Sequence, residues 1–453
     1  MPAGKHGDGT VRVGTGAGMA DDRIYPAVQL LERGELDYLV CECLAERTIA
    51  RESLDRARHP DRGYTPMLEE RLRAFLPLCH AHGVRLVTNM GAANPLGGAH
   101  AVRREARDLG LEMSCAAVVG DDVTELVRQH PELRLLESGE PVEVLLAHMA
   151  SANAYLGADV VRDALATGAQ VVITGRVADP SLFLGVMLHH LEWSYDDLSM
   201  LAAGTIAGHL LECSTQVTGG YFADPGKKDV PGLADIGYPF ADVTCDGSLA
   251  ISKTPGTGGR LDIMTCTEQL LYEMHDPQQY ITPDCVLDIT DVDFIQEAAD
   301  RVAVRGARAA PRTPTYKVVV GYFDGYIGCG EVGYAGINAV ARARLAADVV
   351  LERLRIEGFA PSEVQVDLVG MTSLHGDPGG RPEPYEVRLR VAGRCPDRRT
   401  ADAVGDAVRQ LNMQGPAAPG AATNIGTKEI VAVKSVLIPR AWVHPQVVVE
   451  NGL

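Results

Sequence analysis

The stretch VVRDALATGAQVVITGRVADP, residues 160–180, decides the fold. It reads as a short helix, a glycine that stops it, the wholly apolar run VVIT, and a polar loop carrying Arg176 and Asp179. An unbroken β-branched run has both faces buried, which suits a parallel strand covered by helices. The same unit recurs upstream. DDRIYPAVQLLERG (21–34) precedes LDYLVCECLAE (36–46). MLEERLRAFLPLCHAHG (67–83), with Leu68, Leu72, Phe75 and Leu76 on one face, precedes RLVTNMGAANP (85–95). HAVRREARDLG (100–110) precedes EMSCAAVVGDD (112–122). Strands alternating with helices predict an α/β domain over 11–305, a Rossmann-like parallel sheet in three layers, with a second half (215–290) rich in Gly, Thr and Pro.

RGARAAPRTPT (305–315) reads as a linker without periodicity. Beyond it, YKVVVGYF, INAVARARLAADVVLERLRIEG, SEVQVDLVGM, YEVRLRVAGR, RTADAVGDAVRQLNM and EIVAVKSVLIP follow in the order βαββαβ. That order predicts a ferredoxin-like α+β domain over 314–453, with VHPQVVVE adding an edge strand. GYIGCGEVGYAG (325–336) reads as the glycine-rich link from its first strand to its helix, with Cys329 and Glu331 inside it.

The totals narrow the function. A chain of 453 residues suits two or three domains. A net charge of -18 opposes nucleic acid as a partner. Ten cysteines without a repeated CxxC spacing read as reduced thiols in a cytoplasmic protein. The polar tail MPAGKHGDGT has no apolar segment of a signal peptide, and no apolar run is long enough for a membrane span.

Each predicted strand ends in glycines or polar residues: Gly14, Gly16 and Gly18; Glu42 and Glu46; Asn89 and Asn94; Asp121 and Asp122; Arg176 and Asp179. Ligands of open parallel sheets bind outside these carboxyl ends. The GTGAG turn would admit a cofactor phosphate at Gly14, Gly16 and Gly18, but Met19 and Asp21 break the G-x-G-x-x-G fingerprint. The competing reading is a tight strand-to-helix turn capped by Asp21. SKTPGTGGR (252–260) sets Lys253 and Arg260 around the amides of Gly256, Gly258 and Gly259, a candidate anion nest.

GHLLECSTQVTGGYF (208–222) is the other candidate wall. His209 and Glu212 share a helix face, where Glu212 would orient His209 as a general base, or the two would form half of a metal site. Cys213 would be a nucleophile only with a stabilised thiolate. Gln216, Thr218 and Gly219 would meet a ligand. Glu42 is the remaining acid–base candidate, with Asn89, Asn94, Arg176, Asp179 and Lys253 binding substrate.

The phrases LVCECLAERT, VTNMGAANP, ITGRVADPSL, GHLLECSTQVTGGYF, YPFADVTCDG, ISKTPGTGGRL, EQLLYEMHDPQQYITPDC and GYIGCGEVGYAG occur in this order. In them the chain resembles the acyclic terpene utilisation family typified by AtuA, from about residue 11 to at least 345. The resemblance implies a soluble catabolic protein of a pathway that runs through acyl-CoA intermediates. Longer members add a small C-terminal domain that is not expected here. No G-x-S-x-G, H-E-x-x-H or Walker A motif is present. What remains is acid–base chemistry on a small carboxylate or acyl-CoA: hydration, dehydration, isomerisation or C–C cleavage. The alternatives are a non-catalytic subunit of an acyl-CoA enzyme and a nucleotide-dependent oxidoreductase. A small-molecule substrate and a homo-oligomer are expected; no cofactor is assigned, with a CoA thioester and a metal both left open.

Overall fold

The computed structural model describes residues 6, 9–376, 379 and 382–450. Most of the polar tail read at 1–10 lies outside them. The chain divides into two compact units, Met1–Gly321 with Val433–Leu453, and Tyr322–Ala432.

The first unit opens with β1 (Thr10–Ala17), α1 (Tyr25–Arg33), β2 (Tyr38–Cys41), α2 (Glu46–Arg58), α3 (Leu68–His82), β3 (Arg85–Thr88), α4 (Pro95–Asp108) and β4 (Cys115–Val119). It continues with α5 (Thr124–Gln129), β5 (Met149–Ala154), α6 (Ala158–Ala166), β6 (Val171–Thr174), α7 (Asp179–His190) and α8 (Leu198–Glu212). Then come β7 (Pro239–Thr244), β8 (Leu249–Lys253), α9 (Ile263–Leu271), β9 (Tyr280–Ile281), β10 (Cys285–Asp288), β11 (Asp293–Ala298), β12 (Arg301–Arg305) and β13 (Arg308–Pro311). The long β14 (Thr315–Ala335) crosses into the second unit, followed by α10 (Ala339–Ile356), β15 (Glu363–Val369), β16 (Glu386–Cys395), α11 (Arg398–Arg409) and α12 (Leu411–Gln414). The chain returns through β17 (Thr423–Pro439) and closes the first unit with β18 (Gln446–Glu450).

The large sheet has ten strands in the order β11-β12-β8-β7-β1-β2-β3-β6-β4-β18. Its middle, β1-β2-β3-β6-β4, is parallel. Alternate residues of these strands enter two separate cores. Val40, Val87 and Val172 meet α6, α7 and α8, whereas Leu39, Leu86 and Ile173 meet α1, α3 and α4. Burying such side chains contributes about 1.5–3 kcal/mol each, which explains the unbroken apolar runs.

A sheet parallel throughout is not what forms. β7, β8, β12 and β11 pair antiparallel on one side, and β18 pairs antiparallel with β4 on the other. The Gly- and Thr-rich second half supplies hairpins rather than βαβ units. Asp246-Gly247 turns the chain between β7 and β8, with Gly247 at φ +82. The expected linker at 305–315 contains β13, which pairs with β10. VHPQVVVE joins the large sheet, not the C-terminal one.

The second unit has the strand order β15-β16-β14-β17, with α10 and α11 packed on a core that includes Val332, Val391 and Val404. GYIGCGEVGYAG is not a link: all of it but Gly336 lies inside β14, whose residues Tyr326–Ala335 pair with β16. Glycine suits it there because a Cβ at Gly328 would strike the Ala401 carbonyl. Among the described residues no helix is long and apolar enough to cross a membrane.

Candidate functional site

The carboxyl ends of β2, β3, β4 and β6 meet in one polar group. Glu42, just past β2, accepts from the Leu44 amide at 2.8 Å and from Asn89 Nδ2 at 2.9 Å through the same oxygen. Asn89, just past β3, accepts from the Cys43 amide at 2.7 Å, so it clamps the Glu42 loop from both sides. Asp121, just past β4, accepts from the Arg176 amide at 2.9 Å and from Asn153 at 3.0 Å. Arg176 is fully buried, donates to the Val177 carbonyl at 2.7 Å and to Asp179, and stacks 4.4 Å from the Tyr155 ring.

The far face of this group involves residues absent from the sequence reading. The Tyr155 hydroxyl donates to Glu46 Oε1 at 2.7 Å, and Lys317 Nζ donates to the same oxygen at 3.1 Å. Lys317 also lies 4.9 Å from the Tyr155 ring centre. A pocket of about 220 Å³ opens here, lined by Tyr155, Asp179, Tyr280, Tyr316, Lys317 and Leu437 among others. The one signal for Lys317 was a lone cation inside the apolar run YKVVV. Tyr155 and Tyr280 carried none, because only tertiary packing brings them to the strand ends.

The electrostatics follow from burial and spacing. Burial, then the neighbouring Asp179, push Glu42 up to about 8, against the pull of Arg176. Asp179 is raised by lost solvation, and Arg176 draws it back. Two carboxyls this close do not ionise independently. Burial pushes Asp121 up to about 6. Glu46 goes the other way: burial opposes its charge, but Tyr155 and Lys317 outweigh it and hold it down to about 2.

A second group sits at the end of α8. His209 Nδ1 lies 3.0 Å from Glu212 Oε1, and Nε2 lies 3.0 Å from the Leu270 carbonyl. Glu212 Oε2 is buried with no partner. Burial pushes Glu212 up to about 7 despite the His209 contact. Burial pulls His209 down, but its bond to Glu212 and that carboxylate's charge raise it overall. The Tyr280 ring packs 5.3 Å from the His209 ring and also lines the pocket. Burial raises the Cys213 thiol, as do Glu212 and Glu42, so it stays protonated and is no nucleophile as it stands. Directly after it Ser214 adopts φ +51, a strained conformation of the kind that collects at functional sites.

Other expected site residues serve the fold. Asn94 caps α4, accepting from the Gly97 amide at 3.0 Å. Gly14 and Gly16 lie within β1, where a Cβ would strike Leu36 and Cys41. At Gly18 it would meet Cys213 and Glu212 backbone at 2.7 Å. These glycines let β1 pack against α1, β2 and the end of α8, rather than forming a phosphate turn. Asp21 does not cap α1, which begins after Ile24; Asp22 accepts from the Gly18 amide instead. Lys253 is buried, donating to the Thr257 carbonyl at 2.9 Å and lying 3.4 Å from Asp300. The Gly258 and Gly259 amides donate to the Asp235 and Pro231 carbonyls, which leaves neither for an anion. Gly256, at φ +72, turns the same loop. Arg260 pairs with Asp262. The Thr218 hydroxyl donates to the Gly237 carbonyl at 2.8 Å, Gly219 turns the chain at φ +103, and Gln216 reaches Tyr272. Among the described residues no group of three or more His, Cys, Asp or Glu side chains is placed to hold a metal.

One family model matches the chain, over residues 11–449; its description is acyclic terpene utilisation family protein AtuA. No curated protein and no solved structure matches.

Proposed function

The chain belongs to the acyclic terpene utilisation family of AtuA, and from that premise we propose that it is an acid–base enzyme acting on a small carboxylic acid or the acyl part of a thioester. The observation that carries this reading is the pocket in which Asp179, a residue of the polar strand ends, lines one wall with Tyr155 and Lys317. In this reading Lys317, 43% exposed, directs its remaining N–H groups at the substrate carboxylate or carbonyl oxygen. Glu46, ionised at neutrality, fixes Lys317 and Tyr155 in place. Asp179, 36% exposed and paired with Arg176, takes the proton from the α-carbon, the one next to the carbon that bears that oxygen. Lys317 stabilises the charge that grows on the oxygen as the proton leaves. Glu42 keeps its own proton beside Asp179, so Asp179 remains the ionised member of the two.

The pocket size limits the substrate. At about 220 Å³ it falls below the roughly 300–1,000 Å³ of drug-sized clefts. It suits a short acid or acyl group, with any CoA portion left outside.

The test is a thermal-shift screen of short straight and branched acids, their CoA thioesters and nicotinamide dinucleotides, with wild type and Lys317→Gln. Acids or acyl-CoAs are expected to raise the melting temperature, and Lys317→Gln to abolish the rise. A rise with nicotinamides alone would end this reading. For a ligand found this way, Asp179→Asn is expected to keep binding and to lower turnover by about 10²–10⁴-fold.

A further inference from the structure

Among the described residues that line the pocket, Asp179 is the one carboxylate, beside Lys317 and the tyrosines Tyr155, Tyr280 and Tyr316. Arg176 donates to Asp179 Oδ1, and the hydrogen bonds of the described residues leave Oδ2 unused. The other polar groups of the wall are ill suited to moving a proton. The Tyr155 hydroxyl is committed to Glu46 at 2.7 Å. The Thr282 and Thr313 hydroxyls donate to the carbonyls of Cys285 at 2.9 Å and Thr315 at 3.1 Å. Burial raises the Tyr155, Tyr280 and Tyr316 hydroxyls, so each keeps its hydrogen near neutrality. The rest of the wall is apolar: Ala178, Pro180, Ile281, Pro283 and Leu437. A water held at a substrate carbon needs several polar partners, and such a wall offers few. Hydration and dehydration both require that water. A proton shuttled between two carbons of one substrate requires only a single carboxylate.

We propose that the pocket isomerises a β,γ-unsaturated acyl thioester to its α,β-conjugated isomer, with Asp179 carrying the proton in both directions. The proposal rests on the acid–base reading above and names its substrate class. Lys317 Nζ, held 3.1 Å from Glu46, turns its remaining N–H groups to the thioester oxygen. Asp179 takes a proton from the α-carbon, which the thioester and the neighbouring C=C bond both acidify. The C–H electron pair spreads over the α- and γ-carbons and the oxygen, where Lys317 stabilises the charge. Asp179 returns the proton to the γ-carbon, and the double bond settles between the α- and β-carbons. These two carbons lie on either side of the β-carbon, so one carboxylate above the chain serves both. No water, hydride or second proton is consumed, and Asp179 ends ionised as it began. The chain beyond the γ-carbon runs over Ile281 and Leu437, both exposed apolar side chains.

The experiment gives the full chain 3-hexenoyl-CoA and follows the ultraviolet absorbance of the conjugated product. Wild type is expected to form 2-hexenoyl-CoA, Asp179→Asn to be slower by about 10²–10⁴-fold, and Lys317→Gln by about 10²–10³-fold. Two further measurements use wild type alone, so that they do not depend on a variant folding. With the α-carbon deuterated, the product formed in ordinary water is expected to carry deuterium on its γ-carbon. A product with none there overturns the single-carboxylate route. Hexanoyl-CoA in heavy water is expected to exchange its α-hydrogens. Such exchange without isomerisation of 3-hexenoyl-CoA overturns this proposal and leaves the acid–base reading intact. Hydration of 2-hexenoyl-CoA faster than isomerisation also overturns it. Neither exchange nor isomerisation overturns both.

Discussion

Glu42 holds its proton up to about pH 8 in the folded chain, because burial and Asp179 oppose its charge more than Arg176 favours it. An unfolded glutamate ionises near pH ~4.3. The folded state therefore binds the extra proton between those values. Its contribution to stability is complete below about pH 4 and is lost as pH rises through about 8, with a slope approaching about 1.4 kcal/mol per pH unit. Glu42→Gln removes this titration, so its stability should fall less steeply over that window. Urea denaturation at stepped pH measures it, and parallel curves for the two proteins would refute the burial account. The sequence made Glu42, Asn89, Arg176 and Asp179 legible because each follows an apolar run whose direction was clear. Lys317 was hidden, since one charge in a strand reads as a solvent-facing position until its neighbours are known. Gly14 and Gly16 misled for a physical reason. A glycine required by a packed leucine or cysteine looks the same in sequence as one required by a phosphate.

At the scale of elements, α4 shows how far a polar strand end can be structural. Asn94 satisfies the Gly97 amide, and its own amide donates to the Arg62 carbonyl at 2.8 Å, tying the helix start to the loop before α3. Asn94→Ala is expected to lower stability by about 1–2 kcal/mol, a typical loss for an N-cap. Binding at the pocket should survive; a melting temperature equal to wild type would mean that neither bond contributes. The central parallel strands were legible because burial on both faces leaves no alternation. β7, β8, β11 and β12 were not, because β7, β11 and β12 are partly exposed, the buried β8 ends in Ser252 and Lys253, and the glycines between them resemble loop. β14 was legible only in its first part, YKVVVGYF: five glycines in residues 325–336 normally end a strand, and here Gly328 and Gly330 admit α11 packed against them.

Over the whole molecule, the sheet of the first unit is closed on one side by β18, which pairs with β4 from Gln446 opposite Val119 to Glu450 opposite Cys115. Arg103 of α4 holds Glu450 at 2.8 Å across 347 positions of sequence. Removing residues 446–450 would bare the backbone donors and acceptors of β4, whose residues are almost all buried. Such an edge pairs with other chains. The shortened protein is expected to associate or precipitate on size-exclusion chromatography, whereas an elution profile like that of the full chain would show that β4 needs no cover.

The same pairing fixes an order of events during synthesis. β4 emerges from the ribosome hundreds of residues ahead of the segment that covers it. Through that interval the nascent sheet presents an unsealed flank, and neighbouring chains on one polysome present the same flank to each other. Yield in the cell should therefore depend on translation speed and on chaperones that shield open strands, even if the finished protein is thermodynamically stable.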